Sequence, residues 1–145
     1  MRWTLAIAAA AFAAASYAND VGQIKTVSGT VHVEREGKQL AAAPGMSVRQ
    51  SDKLVTGTDG AVGVTFLDNS LLSAGPGTVL AIDRYSFDTT THAGHFDASL
   101  QKGTLAVVSG KIVKQSPGAM RVRTPASVMG VRGTEFVVRV GDAAK

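Results

Sequence analysis

The chain has 145 residues, 15 Lys and Arg against 11 Asp and Glu, a formal net charge of +4, and no Cys. That length fits one domain of the roughly 100–200 residues usual for a compact unit, and the lack of Cys excludes disulfide scaffolds, thiolate zinc sites, Cys nucleophiles and iron–sulfur clusters together. With 45% hydrophobic and 18% charged residues, the composition is not that of a disordered chain and a core can be buried.

The first element is an address label. Arg2 precedes an apolar stretch from Trp3 to Ala15 made mostly of Ala. The stretch falls short of the about 20 apolar residues of a spanning helix, and it has no polar stripe to give an amphipathic helix a solvent face. Ser16-Tyr17-Ala18 puts small residues three and one positions ahead of Asn19, as signal peptidase requires. Residues 1–18 are therefore expected to be a cleavable signal peptide, and residues 19–145 one exported domain with no stable membrane insertion after cleavage. The periplasm is the expected location, with secretion or the cell surface as the alternative.

From Val21 onward no window keeps helical periodicity, whereas short alternating runs rich in Val, Ile and Thr recur between turn signals. The pattern predicts strands over Gln23–Val27, Thr30–Arg35, Asp52–Thr56, Ala61–Leu67, Ser70–Ala74 and Thr78–Arg84. Later strands are predicted over Ser99–Val108, Lys111–Lys114, Ala119–Thr124 and Gly133–Val140, with essentially no helix. Three Pro-Gly pairs, at Pro44, Pro76 and Pro117, suit turns in which Pro presets φ and Gly accepts a positive φ. Val27-Ser28-Gly29-Thr30 and Val108-Ser109-Gly110-Lys111 are matching corners between consecutive strands, and Glu36-Gly37 and Thr58-Asp59-Gly60 are further tight turns.

Alternation sorts the faces. Val31 and Val33 lie opposite His32 and Glu34, and Val62, Val64 and Phe66 share one side, so both sets are core candidates. Short strands with Gly corners point to an all-β domain, either a sandwich-like fold or a short β-solenoid whose coils are irregular, because the Pro-Gly pairs do not repeat evenly.

Two stretches carry a family resemblance. Gly57–Val79, GTDGAVGVTFLDNSLLSAGPGTV, has a Thr-Gly corner, a strand, an Asp-x-Ser turn, an apolar strand and a small-residue turn. Thr124–Val138, TPASVMGVRGTEFVV, has a Thr-Pro opening and a Val-x-Gly-x-x-Gly-Thr-Glu-Phe-x-Val core. The chain resembles FecR-type domains at both, and Ile24–Val33, IKTVSGTVHV, fits the same pattern. The resemblance implies an exported all-β module used in recognition or signal transduction. In the regulators that named the family, such a domain sits in the periplasm, joined through one membrane helix to a cytoplasmic anti-sigma segment, and receives a signal from an outer-membrane transporter. Here a leader is expected in place of that segment, and neither a membrane helix nor a further subdomain after Val140 is expected, so the expectation is a freestanding module contacting a partner.

A basic cluster is the leading candidate contact surface. Lys111, Lys114, Arg121, Arg123, Arg132 and Arg139 stand against one acid, Glu135, and alternation puts Arg121 and Arg123 on the face opposite Met120 and Val122. Such a patch can receive a carboxylate-rich protein or an anionic envelope component, or simply be a solvated strand face that resists edge pairing. Arg132 and Glu135 can pair across the corner at Gly133. Nucleic acid is not expected, since an exported chain seldom meets it and 6% aromatic residues leave few stacking platforms.

His92 and His95, with Asp88 and Asp97, have the chemistry of zinc ligands, but no helix fixes their spacing and Asp88–Asp97 has the composition of a polar loop or hairpin tip. His32 has no assigned role. No nucleophile elbow or phosphate loop is present, Asp68-Asn69-Ser70 is explained by turn chemistry, and neither a cofactor nor catalysis is expected. The first expectation is thus a non-enzymatic binding module. The second is a structural protein or small-ligand sensor that assembles through strand edges, and the third a metal-dependent hydrolase at His92 and His95.

Overall fold

The computed structural model describes residues 20–131 and 133–141. The expected signal peptide and Arg132 lie outside the described residues. The elements in chain order are β1 (Asp20–Ser28), β2 (Val31–Arg35), β3 (Lys38–Ala41), β4 (Ser47–Arg49), β5 (Lys53–Thr56), β6 (Ala61–Phe66) and β7 (Leu71–Ala74). Then follow β8 (Val79–Phe87), β9 (Gly94–Val108), α1 (Lys111–Gln115), β10 (Met120–Arg123), β11 (Val128–Gly130) and β12 (Glu135–Val140).

All twelve strands belong to one curled, open sheet folded into two layers. One layer runs β4-β1-β6-β7-β9-β12 and the other β3-β2-β5-β8-β9-β10-β11. Strand β9 serves both. Its first part pairs with β8 and β10, and its last part, Leu105–Val108, pairs with β7 and β12. The two parts meet at Gly103, whose φ of +98° bends the strand from one layer into the other. The fold is therefore all-β, as expected, with the curled sheet forming a half-barrel.

Chain reversals between the layers stack along one seam. Gly57 N–H donates to the Thr30 carbonyl, Gly77 N–H to the Gly57 carbonyl, and Gly75 N–H to the Thr104 carbonyl, each at 2.8–3.0 Å. A threonine ladder runs beside these bonds. Thr56 Oγ1 donates to the Gly75 carbonyl (2.7 Å) and accepts from Thr78 N–H (2.8 Å); Thr78 Oγ1 donates to the Thr104 carbonyl (3.2 Å) and accepts from Thr104 N–H (3.1 Å). Thr is suited to this place because its hydroxyl satisfies backbone groups that a bent strand can no longer pair, while its branched Cβ suits extended backbone. The Gly of each expected Pro-Gly turn has φ between +64° and +92°, as that turn chemistry demands. Glu36 and Gly37, both at positive φ, form the tight reversal from β2 to β3.

Between the layers lies one core. Val31, Val33, Val62, Val64 and Phe66 are buried as alternation requires, and Phe66, Tyr85 and Phe96 cluster at its centre with ring centroids 4.6–5.5 Å apart. Two carboxylates are buried with it. Asp52 accepts both Arg35 Nε (2.9 Å) and Arg35 Nη2 (2.6 Å), and the Arg49 N–H besides. That hydrogen bond to Asp52, working against desolvation, raises the Arg35 pKa above its ordinary value.

Asp68 sits at the end of the core away from the threonine seam. It is fully buried, accepts the Tyr85 hydroxyl (2.9 Å), the Ser70 hydroxyl (2.7 Å) and Ser70 N–H (3.2 Å), and receives Ile112 N–H from the start of α1 (3.3 Å). The expected Asx turn at Asp68-Asn69-Ser70 is present, with Asn69 at φ +70°, yet its carboxylate also docks a distant segment.

Several boundaries differ from the sequence reading. Lys111–Lys114 is a helical turn rather than a strand: Asp68 holds its first amides, and Ile112 and Val113, adjacent in sequence, are both buried, which a strand with one buried face does not allow. The corner at Ser109-Gly110 therefore leads into α1. Strands β3, β4 and β11 were not expected, and β9 begins at Gly94, so that His95 and Asp97 belong to a strand.

Tyr85 offers a titration test of this core. Desolvation first, and the neighbouring Asp68 charge second, push its pKa well above the ordinary tyrosine value of about 10. Below that value the phenol is neutral in both folded and unfolded chains, and the stability is fully present. Above it only the unfolded chain ionises, so stability falls as the pH rises toward the raised folded value. In a chain starting at Asn19, Tyr85 is the one tyrosine. Its tyrosinate absorbance is expected to appear together with unfolding; ionisation with a midpoint near 10 in a chain still folded by circular dichroism would contradict the burial.

Candidate functional site

Strand β10 is built as alternation requires: Met120 and Val122 are buried, and Arg121 and Arg123 project outward from the opposite face. Its neighbours change the electrostatics. β10 pairs in parallel with β9, which sets Arg121 across from Asp97 and Arg123 across from Ser99. Asp97 in turn stands across from Arg84 on β8, and the Ser99 hydroxyl donates to Asp83, at a bulge in β8. The outer face therefore carries Arg84, Asp97 and Arg121 in one row, with Asp83, Ser99 and Arg123 beside them. Cations that stand almost alone along the chain are interleaved in space with acids from strands more than twenty residues away.

Two shallow hollows mark this face. One of about 270 Å³ lies among Arg84, His95, Asp97 and Arg121, and another of about 90 Å³ among Asp83, Asp97, Arg123 and Val128. Val128, on β11 directly across from Arg123, is 56% exposed. An exposed branched apolar side chain thus sits beside a guanidinium on this face.

The other candidate residues lie elsewhere. Lys111 and Lys114 are on α1, where Lys114 borders a hollow with Val113, Pro117 and Thr134. Glu135 and Arg139 project from β12, on the same side as Val137, which is 65% exposed. Arg132 and its expected pairing with Glu135 fall outside the described residues. The five described cations of the cluster thus do not form one patch; among them Arg121 and Arg123 alone share a strand face.

His92 lies in the turn between β8 and β9, at φ +62°, with its ring stacked on Phe87 at 5.9 Å. The same turn is held by Asp88, which accepts the amides of Thr90 (2.8 Å) and Thr91 (3.1 Å). Those amides, Thr91 first, hold the Asp88 carboxyl below its ordinary pKa. His95 points outward from β9 toward the Arg84–Asp97–Arg121 row. Among the described residues, no three His, Asp or Glu side chains converge in the manner of a metal site. Alternation identified Arg121 and Arg123, but Arg84, Asp83 and Asp97 were invisible as neighbours because only the register of β8, β9 and β10 joins them.

The sheet is open between its last strands. Among the described residues β11 and β12 are edge strands of opposite layers, and between them runs a groove of about 730 Å³ walled by Pro125, Met129, Val137 and Val140, with Lys102 and Arg139 at its rim. Ser109 ties the head of β12 in place, donating from N–H to the Thr134 carbonyl (2.7 Å) and from its hydroxyl to the Gly133 carbonyl (2.6 Å).

Among the described residues, no helix is long and apolar enough to cross a membrane. No curated protein and no solved structure matches the chain. A family of FecR proteins matches residues 52–145, which includes Gly57–Val79 and Thr124–Val138 and leaves Ile24–Val33 outside the match. With more than half of its length matched and an all-β fold around both stretches, the chain belongs to the FecR family, a regulatory and non-enzymatic family.

Proposed function

We propose that this chain is an exported recognition module that acts in a regulatory system of the cell envelope by binding a partner protein. The observation that carries this reading is the outer face of β10 and β11, where Arg121, Arg123 and the exposed Val128 lie together inside the family-matched segment. Interleaved Asp83 and Asp97 favour a protein surface of mixed charge over a uniform polyanion such as lipopolysaccharide phosphate or an acidic glycan, because each acid facing a polyanion adds repulsion. The buried carboxylates Asp52 and Asp68 hold the fold together through their hydrogen bonds, and no catalytic role is assigned to them.

Capture from an envelope fraction tests the reading. The wild-type chain is expected to retain a distinct protein at low salt and to lose much of it at high salt, as exposed charges are screened. Arg121→Glu with Arg123→Glu is expected to lower the retained amount about tenfold, since two like-charge contacts replace two attractive ones. Capture of no protein, or capture indifferent to both substitutions, sinks the proposal.

A further inference from the structure

Strand β12 pairs with β9 in antiparallel register, Glu135 opposite Val108 through to Val140 opposite Gly103. The bond from Ser109 N–H to the Thr134 carbonyl fixes the phase of this ladder. In an antiparallel pair, hydrogen-bonded and non-hydrogen-bonded positions alternate. Phe136, Val138 and Val140 therefore direct their amides and carbonyls at β9, while Glu135, Val137 and Arg139 direct theirs away from it. Thr104, opposite Arg139, agrees with this phase, since its carbonyl accepts Gly75 N–H on the other side of β9. Among the described residues β12 has no second strand partner, and the open groove beside it leaves this edge uncovered by the β10–β11 hairpin.

We propose that β12 is a self-pairing edge, and that two copies of this chain join their β12 strands in antiparallel fashion about a two-fold axis at Val137. The outward triad has the symmetry that such a contact requires. Setting Val137 against Val137 of the second copy places Glu135 across from Arg139, and Arg139 across from Glu135, so two opposite-charge pairs form at once. The three outward residues of each copy supply three amides and three carbonyls, enough for six inter-chain hydrogen bonds. The two exposed Val137 side chains cover one another on the outer face. An exposed valine in the middle of a bare strand edge is otherwise an aggregation hazard, and a charge pattern that complements itself in one register directs that edge to a single closed partner. The dimer leaves the Arg121 and Arg123 face on a different strand, so the two proposals stand or fall separately.

A contact of one strand on each side is small, so the dimer is expected to be weak, with a dissociation constant on the order of 10–100 µM. Sedimentation equilibrium of the protein obtained by expressing the full chain should show concentration-dependent dimers. Glu135→Arg and Arg139→Glu are each expected to weaken dimerisation at least about tenfold, because each sets two like charges opposite one another. The double exchange, Glu135→Arg with Arg139→Glu, is expected to restore it, which a merely structural role for either residue does not explain. Val137→Pro removes an outward amide without touching the β9 ladder and is expected to abolish the dimer in a chain that still folds by circular dichroism. Hydrogen exchange gives a readout that needs no variant: amides of Glu135, Val137 and Arg139 should become protected as the wild-type concentration rises. A wild-type chain that stays monomeric at several hundred micromolar, a dimer that survives Val137→Pro, or single losses without recovery in the double exchange would overturn the proposal.

Discussion

Gly103→Val is expected to lower the thermal unfolding midpoint by roughly 15 °C, corresponding to a loss of about 4 kcal/mol in a domain of this size. Two costs add. The backbone φ of +98° is one that a branched side chain rarely adopts, at about 1–3 kcal/mol. A Cβ built there also overlaps Thr78, both its Oγ1 and its Cα. The second obstacle is backbone, so it cannot be relieved by a rotamer change, and moving it breaks the Thr56–Thr78–Thr104 ladder. Gly77 is the control: its φ is +64°, but nothing lies within 4 Å of its Cβ position. Gly77→Ala is therefore expected to cost only the backbone strain, about 1 kcal/mol. Calorimetry of the two variants separates the effects; equal midpoints would show that crowding at the bend is unimportant.

Asp68→Ala is expected to destabilise the chain by about 3 kcal/mol. The substitution leaves the hydroxyls of Tyr85 and Ser70 and the amide of Ile112 without their shared acceptor in a fully buried place. Part of the loss is offset, because the variant no longer buries a carboxylate with no cation among its hydrogen-bond partners, which is why the figure is lower than the sum of the separate bonds. The effect has a local signature. Amide exchange at Ile112 should accelerate beyond the global change, since α1 is docked onto the sheet through this acceptor and the Asp68 carbonyl, which takes Lys111 N–H. A denaturant midpoint within about 1 kcal/mol of wild type would show that water or a rearranged turn replaces the carboxylate readily.

Alternation revealed most of the long strands because one face of each is buried, and the Pro-Gly pairs revealed their turns because the chemistry is local. The short strands escaped for the same physical reason in reverse. Lys38–Ala41 and Ser47–Arg49 lie on edges, and Val128–Gly130 has three residues, too few for a period of two to declare itself. Lys111–Lys114 reads as a strand because the helical turn it forms depends on an acceptor more than forty residues upstream. The Arg35–Asp52 pair and the Arg84–Asp97–Arg121 row were equally hidden, since register between distant strands brings them together. Arg121 and Arg123 were legible as a pair, but the acids that temper them were not. The FecR resemblance was legible in Gly57–Val79 and Thr124–Val138, both of which lie within the matched region.

Strand β9, shared between the layers, has a mechanical consequence. A pull on the C-terminal end along β12 does not meet hydrogen bonds that can open singly from a frayed end. It loads the six paired positions of β12 and β9 in shear, together, and passes the force through the bend at Gly103 into the strands of the other layer. A tug on the tail is thereby felt across the whole body, as a rope spliced into two halves of a sail draws both taut.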